Sequence, residues 1–207
     1  MLEQLLEQLP TTPQLTSYSI TAIVMPGIAI PSNNNAEPSI PIEQSPDLSS
    51  LAGLAAVNDI PVLRTKDCNE DKLPEDLTQL DADIFLLACF PLKLPRNIWQ
   101  LPKLACWNIH PSLLPEYRGP SPIHWQLKNK EKNTGITLHQ VAETLDAGDI
   151  VAQSPYSMPS DVSSTSLDSW VAVNGINLFM QALLDYRNNK LTKTKQIESE
   201  ASYFPYP

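Results

Sequence analysis

The 207-residue chain has little of what would mark a disulfide scaffold, a zinc knuckle or a nucleic-acid surface. It has three cysteines, Cys68, Cys89 and Cys106, an odd number with no C-x-x-C spacing. That excludes a paired framework and a zinc-type ligand set, and it suits a reducing compartment. Cys89 and Cys106 lie in apolar runs, where a buried free thiol is expected. Lys and Arg number 14 against 23 Asp and Glu, a formal charge of −9 with no dense basic run. Such a chain lacks the clustered cations that a phosphate backbone requires. No apolar stretch approaches the ~18–20 residues of a membrane span, and no basic segment with an apolar core opens the chain. A soluble, cytoplasmic protein without a membrane partner is expected.

What is present argues for one folded domain over residues 1–207. The hydrophobic fraction of 42% supports a real core, and the charged fraction of 18% is too modest for general disorder. Leu2, Leu5, Leu6 and Leu9 repeat at helical spacing over residues 2–9, and Pro10 and Pro13 should end that helix. Tyr18–Met25 reads as a strand. Residues 26–47, rich in Pro, Asn and Ser, read as a long loop. Leu48–Asn58 and Leu73–Leu80 read as helices flanking a short strand at Pro61–Arg64. Ala82–Phe90 is a continuous apolar run, the pattern of a strand buried on both faces of a parallel sheet. Leu104–Ile109 repeats it. Strands alternating with helices indicate an open, mostly parallel, doubly wound (Rossmann-like) α/β sheet.

Further along, Pro120–Asn129 reads as a helix. Thr134–Val141 alternates like a strand with one exposed face, and Ile150–Ser157 follows as another strand. Leu167–Tyr186 is a long amphipathic helix. Residues 190–207 read as a polar tail ending in Tyr203-Phe204-Pro205-Tyr206-Pro207.

The chemistry concentrates in Asn108-Ile109-His110-Pro111-Ser112-Leu113-Leu114-Pro115 and, later, Leu145-Asp146-Ala147-Gly148-Asp149. Asn108 and His110 stand at the carboxyl end of a strand, the edge where open α/β sheets bind ligands. Two residues apart, they face one side. An amide, an imidazole and a carboxylate can polarise a carbonyl, move a proton and orient the base that moves it. Taken singly, each has an ordinary structural explanation: a strand-end turn, a satisfied histidine, a loop carboxylate. His139 alternates with Leu138 and reads as structural. His124 lies in a helix beside Trp125, itself more a core residue than a platform. Arg118 either fixes the loop around the site or forms a salt bridge at the surface.

Together with their spacers these blocks carry more weight. N-x-H-P-S-L-L-P-x-Y-R-G-x-x-P, then T-G-I-T-L-H, then L-D-A-G-D-I resembles the folate-dependent formyltransferase family, closely over residues 82–153. That family includes methionyl-tRNA formyltransferase, glycinamide ribonucleotide transformylase and the amino-sugar N-formyltransferases. The resemblance implies 10-formyltetrahydrofolate as donor, a primary amine as acceptor, no metal, and Asn108, His110 and Asp146 as the catalytic residues. It also implies a donor site lined by Ser112, Leu113, Leu114 and Pro115, by Cys89, Phe90 and Pro91, and by the Val141–Leu145 segment.

Against the family pattern the chain reads as N-terminally shortened. Met1 falls in what corresponds to the family's first helix, so the preceding central strand is not found. Nothing after Ser202 matches the added barrel domain of methionyl-tRNA formyltransferase. The expected acceptor is therefore a small amine such as an amino-sugar nucleotide, with tRNA disfavoured by charge and by that missing domain. The alternatives are methionyl-tRNA formylation, hydrolysis of the donor, and a non-catalytic folate-binding paralogue.

Overall fold

The computed structural model describes residues 1–26, 50–70 and 72–207. Helix α1 (Leu2–Thr11) packs the leucines that repeat along it, and Leu2 and Leu9 are buried. Pro10 sits inside its last turn rather than ending it. Strand β1 (Ile23–Pro26) is only the last part of the expected Tyr18–Met25 strand. It pairs in parallel with β2 (Val62–Thr65), Ile23 facing Val62 and Pro26 facing Thr65. The expected loop over 26–47 lies, beyond Pro26, outside the described residues.

Helix α2 (Leu51–Val57) starts at Ser50, whose hydroxyl accepts the Gly53 amide, satisfying one of the orphan donors of a first turn. Helix α3 (Lys72–Gln79) buries Leu73 and Leu77. The short helix α4 (Arg96–Trp99) was not legible in the sequence, because four residues are too few to show a period.

The second sheet runs β3 (Ile84–Ala88), β4 (Ala105–His110), β5 (Asn133–Gln140), β6 (Ile150–Ser157) in that spatial order. β3 and β4 are parallel, whereas β4–β5 and β5–β6 are antiparallel. The fold is of the expected open α/β type, in two sheets: β1–β2 and β3–β4 pair in parallel, and the pairings beyond β4 are antiparallel.

Two burial expectations are corrected. β3 is half-buried along its length, because β4 flanks one edge and no other strand of the described residues flanks the second. β5 is buried from Thr134 to His139 rather than on alternate residues. It is a central strand between β4 and β6, and α6 (Ser164–Arg187) packs on it.

The main core forms where α6 meets these strands. Val171, Ile176, Phe179, Met180 and Leu183 pack with Trp107, Ile109, Ile136 and Leu138, and Leu9 and Leu15 close the end. Trp107 meets Phe179 edge to face, centroids 6.0 Å apart. Each fully buried aliphatic or aromatic side chain contributes roughly 1.5–3 kcal/mol. A smaller core joins Cys68, Leu73, Leu77 and Ile98 to Val24, Leu63 and Phe85. Among the described residues no helix is long and apolar enough to cross a membrane.

Helix α5 (Pro122–Lys128) follows the site loop. The 190–207 segment is not a loose tail but folds back on the domain. Arg118 N–H donates to Ser202 O and Phe204 N–H to Arg118 O, and the Phe204 ring stacks on Tyr117 with centroids 4.7 Å apart.

Candidate active site

Strand β4 delivers Asn108 and His110 to the same side, and the antiparallel register of β5 sets His139 opposite Asn108 and Thr137 opposite His110. His110 is buried. Its Nε2–H donates to the Tyr117 carbonyl at 2.8 Å, and a carbonyl can only accept, so in the neutral ring Nδ1 keeps its lone pair. That Nδ1 lies 3.7 Å from Asp146 Oδ2. Asp146 has a left-handed backbone (φ 55°), a conformation Asp tolerates in turns, and its Oδ2 accepts the Gly119 amide at 2.9 Å. Its Oδ1 lies 3.5 Å from His139 Nε2. The two imidazoles stand nearly perpendicular with centroids 6.1 Å apart.

Burial pushes the His110 ring below its ordinary value of 6.5, and the Asp146 charge opposes that only in part. Burial alone would raise the Asp146 carboxyl. The His139 side chain, the His110 charge and the Gly119 N–H outweigh it and hold the group below 3.8. At neutral pH the arrangement is therefore an ionised carboxylate beside a neutral imidazole whose unprotonated Nδ1 lies 3.7 Å from it. A proton arriving at Nδ1 is stabilised at once by Asp146, which is the electrostatic setting of a general base.

The Asp146 loop is held by parts of the chain far away in sequence. Gln196 Nε2 donates to the carbonyls of Asp146 and Gly148, both at 2.7 Å. Gln196 is in turn gripped by the buried Arg118, whose guanidinium donates to Gln196 Oε1 and to Glu198. This decides the Arg118 question: its forked donors fix the loop around the site, and its ion pair with Glu198 is part of that grip. Gly148 is required here because a Cβ would sit 1.8 Å from Gln140 O. Gly119 has φ +119° and lies against the Phe204 carbonyl, so a side chain there meets both strain and a clash.

Asn108 and His110 open onto a cavity of about 1090 Å³. Of the residues expected around the donor, Cys89, Phe90, Pro91, Val141 and Leu145 line it together with Asn108, His110 and Asp146. Ser112, Leu113, Leu114 and Pro115, also expected there, are not among its lining residues. They turn away beneath His110: Leu114 N–H donates to Thr137 Oγ1, Thr137 Oγ1–H to Ser112 O, and Gln153 Nε2–H to Leu114 O. Cys89 is exposed at the cavity, not buried as its apolar neighbours suggested. Its left-handed backbone (φ 54°) turns it out of the strand. Cys106 is buried, and burial pushes its thiol up to about 12, so it is inert at neutral pH.

Sequence reasoning missed His139, which is 2% exposed and lies among the site residues. The available signal was its place in a strand that had to pair with the Asn108 strand. His124 also lines the cavity, from the exposed face of α5. Trp125 is half-buried beneath the C-terminal segment, its indole N–H donating to Pro205 O at 2.8 Å. Donor atoms of His110, His139 and Asp146 lie within 4.8 Å of one another, the one such cluster among the described residues. Each of the three side chains is already engaged in the hydrogen bonds and ionic contacts above.

A strand-end amide and imidazole backed by a buried carboxylate, on an open α/β sheet, define a site suited to acyl transfer. Comparison with known proteins makes the assignment specific. Residues 30–183 match the family model described as formyl transferase. The chain is 36% identical over 155 residues to the methionyl-tRNA formyltransferase of Synechococcus sp. (strain JA-3-3Ab), covering 73% of this chain and 48% of that one. A solved 4-N formyltransferase from Francisella tularensis superposes with a TM-score of 0.60 at 27% identity, over 76% of this chain and 61% of that one. HypX from Aquifex aeolicus, solved in complex with tetrahydrofolic acid, gives a TM-score of 0.62 over 73% of this chain and 26% of its own. At 23% identity that likeness shows the fold alone. The chain belongs to the formyl transferase family. It spans about half the length of the curated relatives it matches.

Proposed function

We propose that this domain transfers a formyl group from 10-formyltetrahydrofolate to a primary amine. The observation that supports the reading most is the neutral His110 with its Nδ1 3.7 Å from the ionised, buried Asp146, both lining one cavity with Asn108. The cavity suits a ring sandwiched between apolar walls, since Leu87, Phe90, Val141 and Leu145 line it. When bound, the donor supplies the formyl carbon and a nitrogen leaving group.

The residues then divide the work. Asn108 presents an amide N–H to the formyl oxygen, where charge develops as the acceptor nitrogen attacks. His110 Nδ1 takes a proton from that nitrogen, and Asp146 stabilises the imidazolium that results. The same Nδ1–H can return the proton to the departing nitrogen of the donor. One carbon–nitrogen bond forms, one breaks, and the proton passes from acceptor to donor. Ser112–Pro115 support this from below by holding the chain that follows His110.

For the acceptor we favour a small amine such as an amino-sugar nucleotide, because the net charge of −9 suits a polyanion poorly. Methionyl-tRNA is the second reading, supported by the name of the 36%-identical relative. Purified protein with 10-formyltetrahydrofolate, assayed against charged initiator tRNA, a panel of amino-sugar nucleotides and water alone, separates these. Formylated product with a small amine is the expected result. Formate release at the same rate without any amine supports donor hydrolysis instead, and failure to consume the donor under all conditions overturns the enzymatic reading.

A further inference from the structure

His139 sits opposite Asn108 on the neighbouring strand, and the roles described so far leave it without one. Its Nδ1 lies 3.0 Å from the Gln140 carbonyl, which can only accept, so Nδ1 carries a hydrogen. All that remains is a single position at Nε2. Two groups compete for it: Asn108 Nδ2 at 3.1 Å and Asp146 Oδ1 at 3.5 Å. They make opposite demands. A neutral ring offers a lone pair there and accepts an N–H from Asn108. A charged ring offers an N–H, which Asp146 accepts and the Asn108 amino group cannot.

The state of His139 therefore decides which end of the Asn108 amide faces it. In the neutral state one amide hydrogen of Asn108 is engaged by His139 and the second is free for the cavity, which both residues line. In the charged state the amide turns, its oxygen taking the place of its nitrogen. An oxygen lone pair aimed at a developing oxyanion would repel it rather than stabilise it.

We infer that His139 is a positioning residue that, as the neutral Nδ1–H tautomer, holds the Asn108 amide with its N–H toward the reacting oxygen. The inference rests on the proposed catalytic role of Asn108. The distances favour it: 3.1 Å is a hydrogen bond, while 3.5 Å to Asp146 is long for one. Strand pairing pins the ring, since Asn108 and His139 are register partners. Asp146 retains the Gly119 amide and the facing His110 as partners when His139 gives its Nε2 lone pair to Asn108 rather than an N–H to the carboxylate.

The test uses the full chain with 10-formyltetrahydrofolate and hydroxylamine as a small probe amine. His139→Leu removes the acceptor and should lower kcat about tenfold while the KM for the donor changes less than about twofold, a fraction of the cost of losing an oxyanion donor. His139→Gln offers a carbonyl acceptor to the same amide and should restore most of the rate. In an Asn108→Ala background His139→Leu should cost nothing further. An unchanged kcat in His139→Leu, a loss confined to KM, or a Gln variant as slow as Leu would overturn the inference. If Asn108→Ala itself runs at the wild-type rate, the formyl-transfer reading of the site falls instead. Nitrogen-15 spectra of the imidazoles give a readout independent of turnover. His139, identified by its loss in His139→Gln, should show a protonated Nδ1 and a bare Nε2 at neutral pH, and a protonated Nε2 there would reject the assignment.

Discussion

The central strands β4 and β5 and the N-terminal strands β1 to β3 differ in how completely they are enclosed. In β4 and β5 nearly every residue is buried, and His110, Thr137 and His139 are buried with them. In β1, β2 and β3 the strands are mostly half-buried, and only Thr65 reaches full burial. The polar cluster sits in the first region. Burial there has a chemical purpose, because the low dielectric lowers the His110 value and makes the Asp146 charge count. A cluster of this kind on the half-buried strands would be screened by water and would lose most of that effect. Position in the fold, more than residue type, is what makes these side chains reactive.

The largest way to break the contrast is within the buried region. Asn108→Ala and His110→Ala should each slow formyl transfer by about 10²-fold or more, on the scale of a lost oxyanion donor or acid/base group. Donor binding, measured by titration, should survive, since Phe90, Val141 and Leu145 are untouched. Wild-type rates in either variant would show the motif to be vestigial.

A second comparison tests packing directly. Leu138→Ala, at a fully buried site in β5, should cost about 3 kcal/mol in denaturant unfolding, whereas Leu86→Ala in the half-buried β3 should cost about 1 kcal/mol. Equal losses would mean that edge strand β3 is packed as tightly as central strand β5.

Next in size is Gly119→Ala, expected to lose about 2 kcal/mol of stability, because a Cβ would meet Phe204 O at 2.1 Å with φ at +119°. It should also slow transfer, since the Gly119 N–H is a partner of Asp146. A variant as stable as wild type would show that the C-terminal segment gives way freely.

The smallest effect is on pH. His110 titrates below 6.5 in the folded protein, so between 6.5 and that lowered value the unfolded chain binds more protons. The stability from the neutral ring is whole above pH 6.5 and drains away as the pH falls through the folded value. Asp146 acts in the same direction below 3.8. His110→Gln should flatten the first of these slopes in thermal melts taken across that window. An unchanged slope would place the titration elsewhere.

Much of this was legible beforehand, and the reasons are specific. Asn108 and His110 are two apart on one strand, and a two-residue period is a local property of the backbone. Ile150–Ser157 was placed residue for residue, since alternation and bounding turn residues mark a strand without help from partners. Asp146 was found only through its spacers, because a lone loop carboxylate carries no signal. His139, Arg118 and the C-terminal segment were misjudged or left open for one shared reason. Each acts through a partner distant in the chain, His139 through Asn108, Arg118 through Gln196, Phe204 through Tyr117. The burial of β5 was misread similarly, as its own alternation does not report the strands on either side.

The sequence by itself determined the strand and helix pattern, the amide, imidazole and carboxylate, and the family to which the chain belongs. Those follow from local periodicity and from residue types at fixed spacing. Only the tertiary structure decided which lone pair faces which hydrogen. The antiparallel register brought His139 against Asn108, the loop brought Asp146 behind His110, and the folded-back C-terminus locked that loop. Charge state and hydrogen-bond direction depend on distances of a few ångströms between chain-distant atoms, and the fold is what sets those distances.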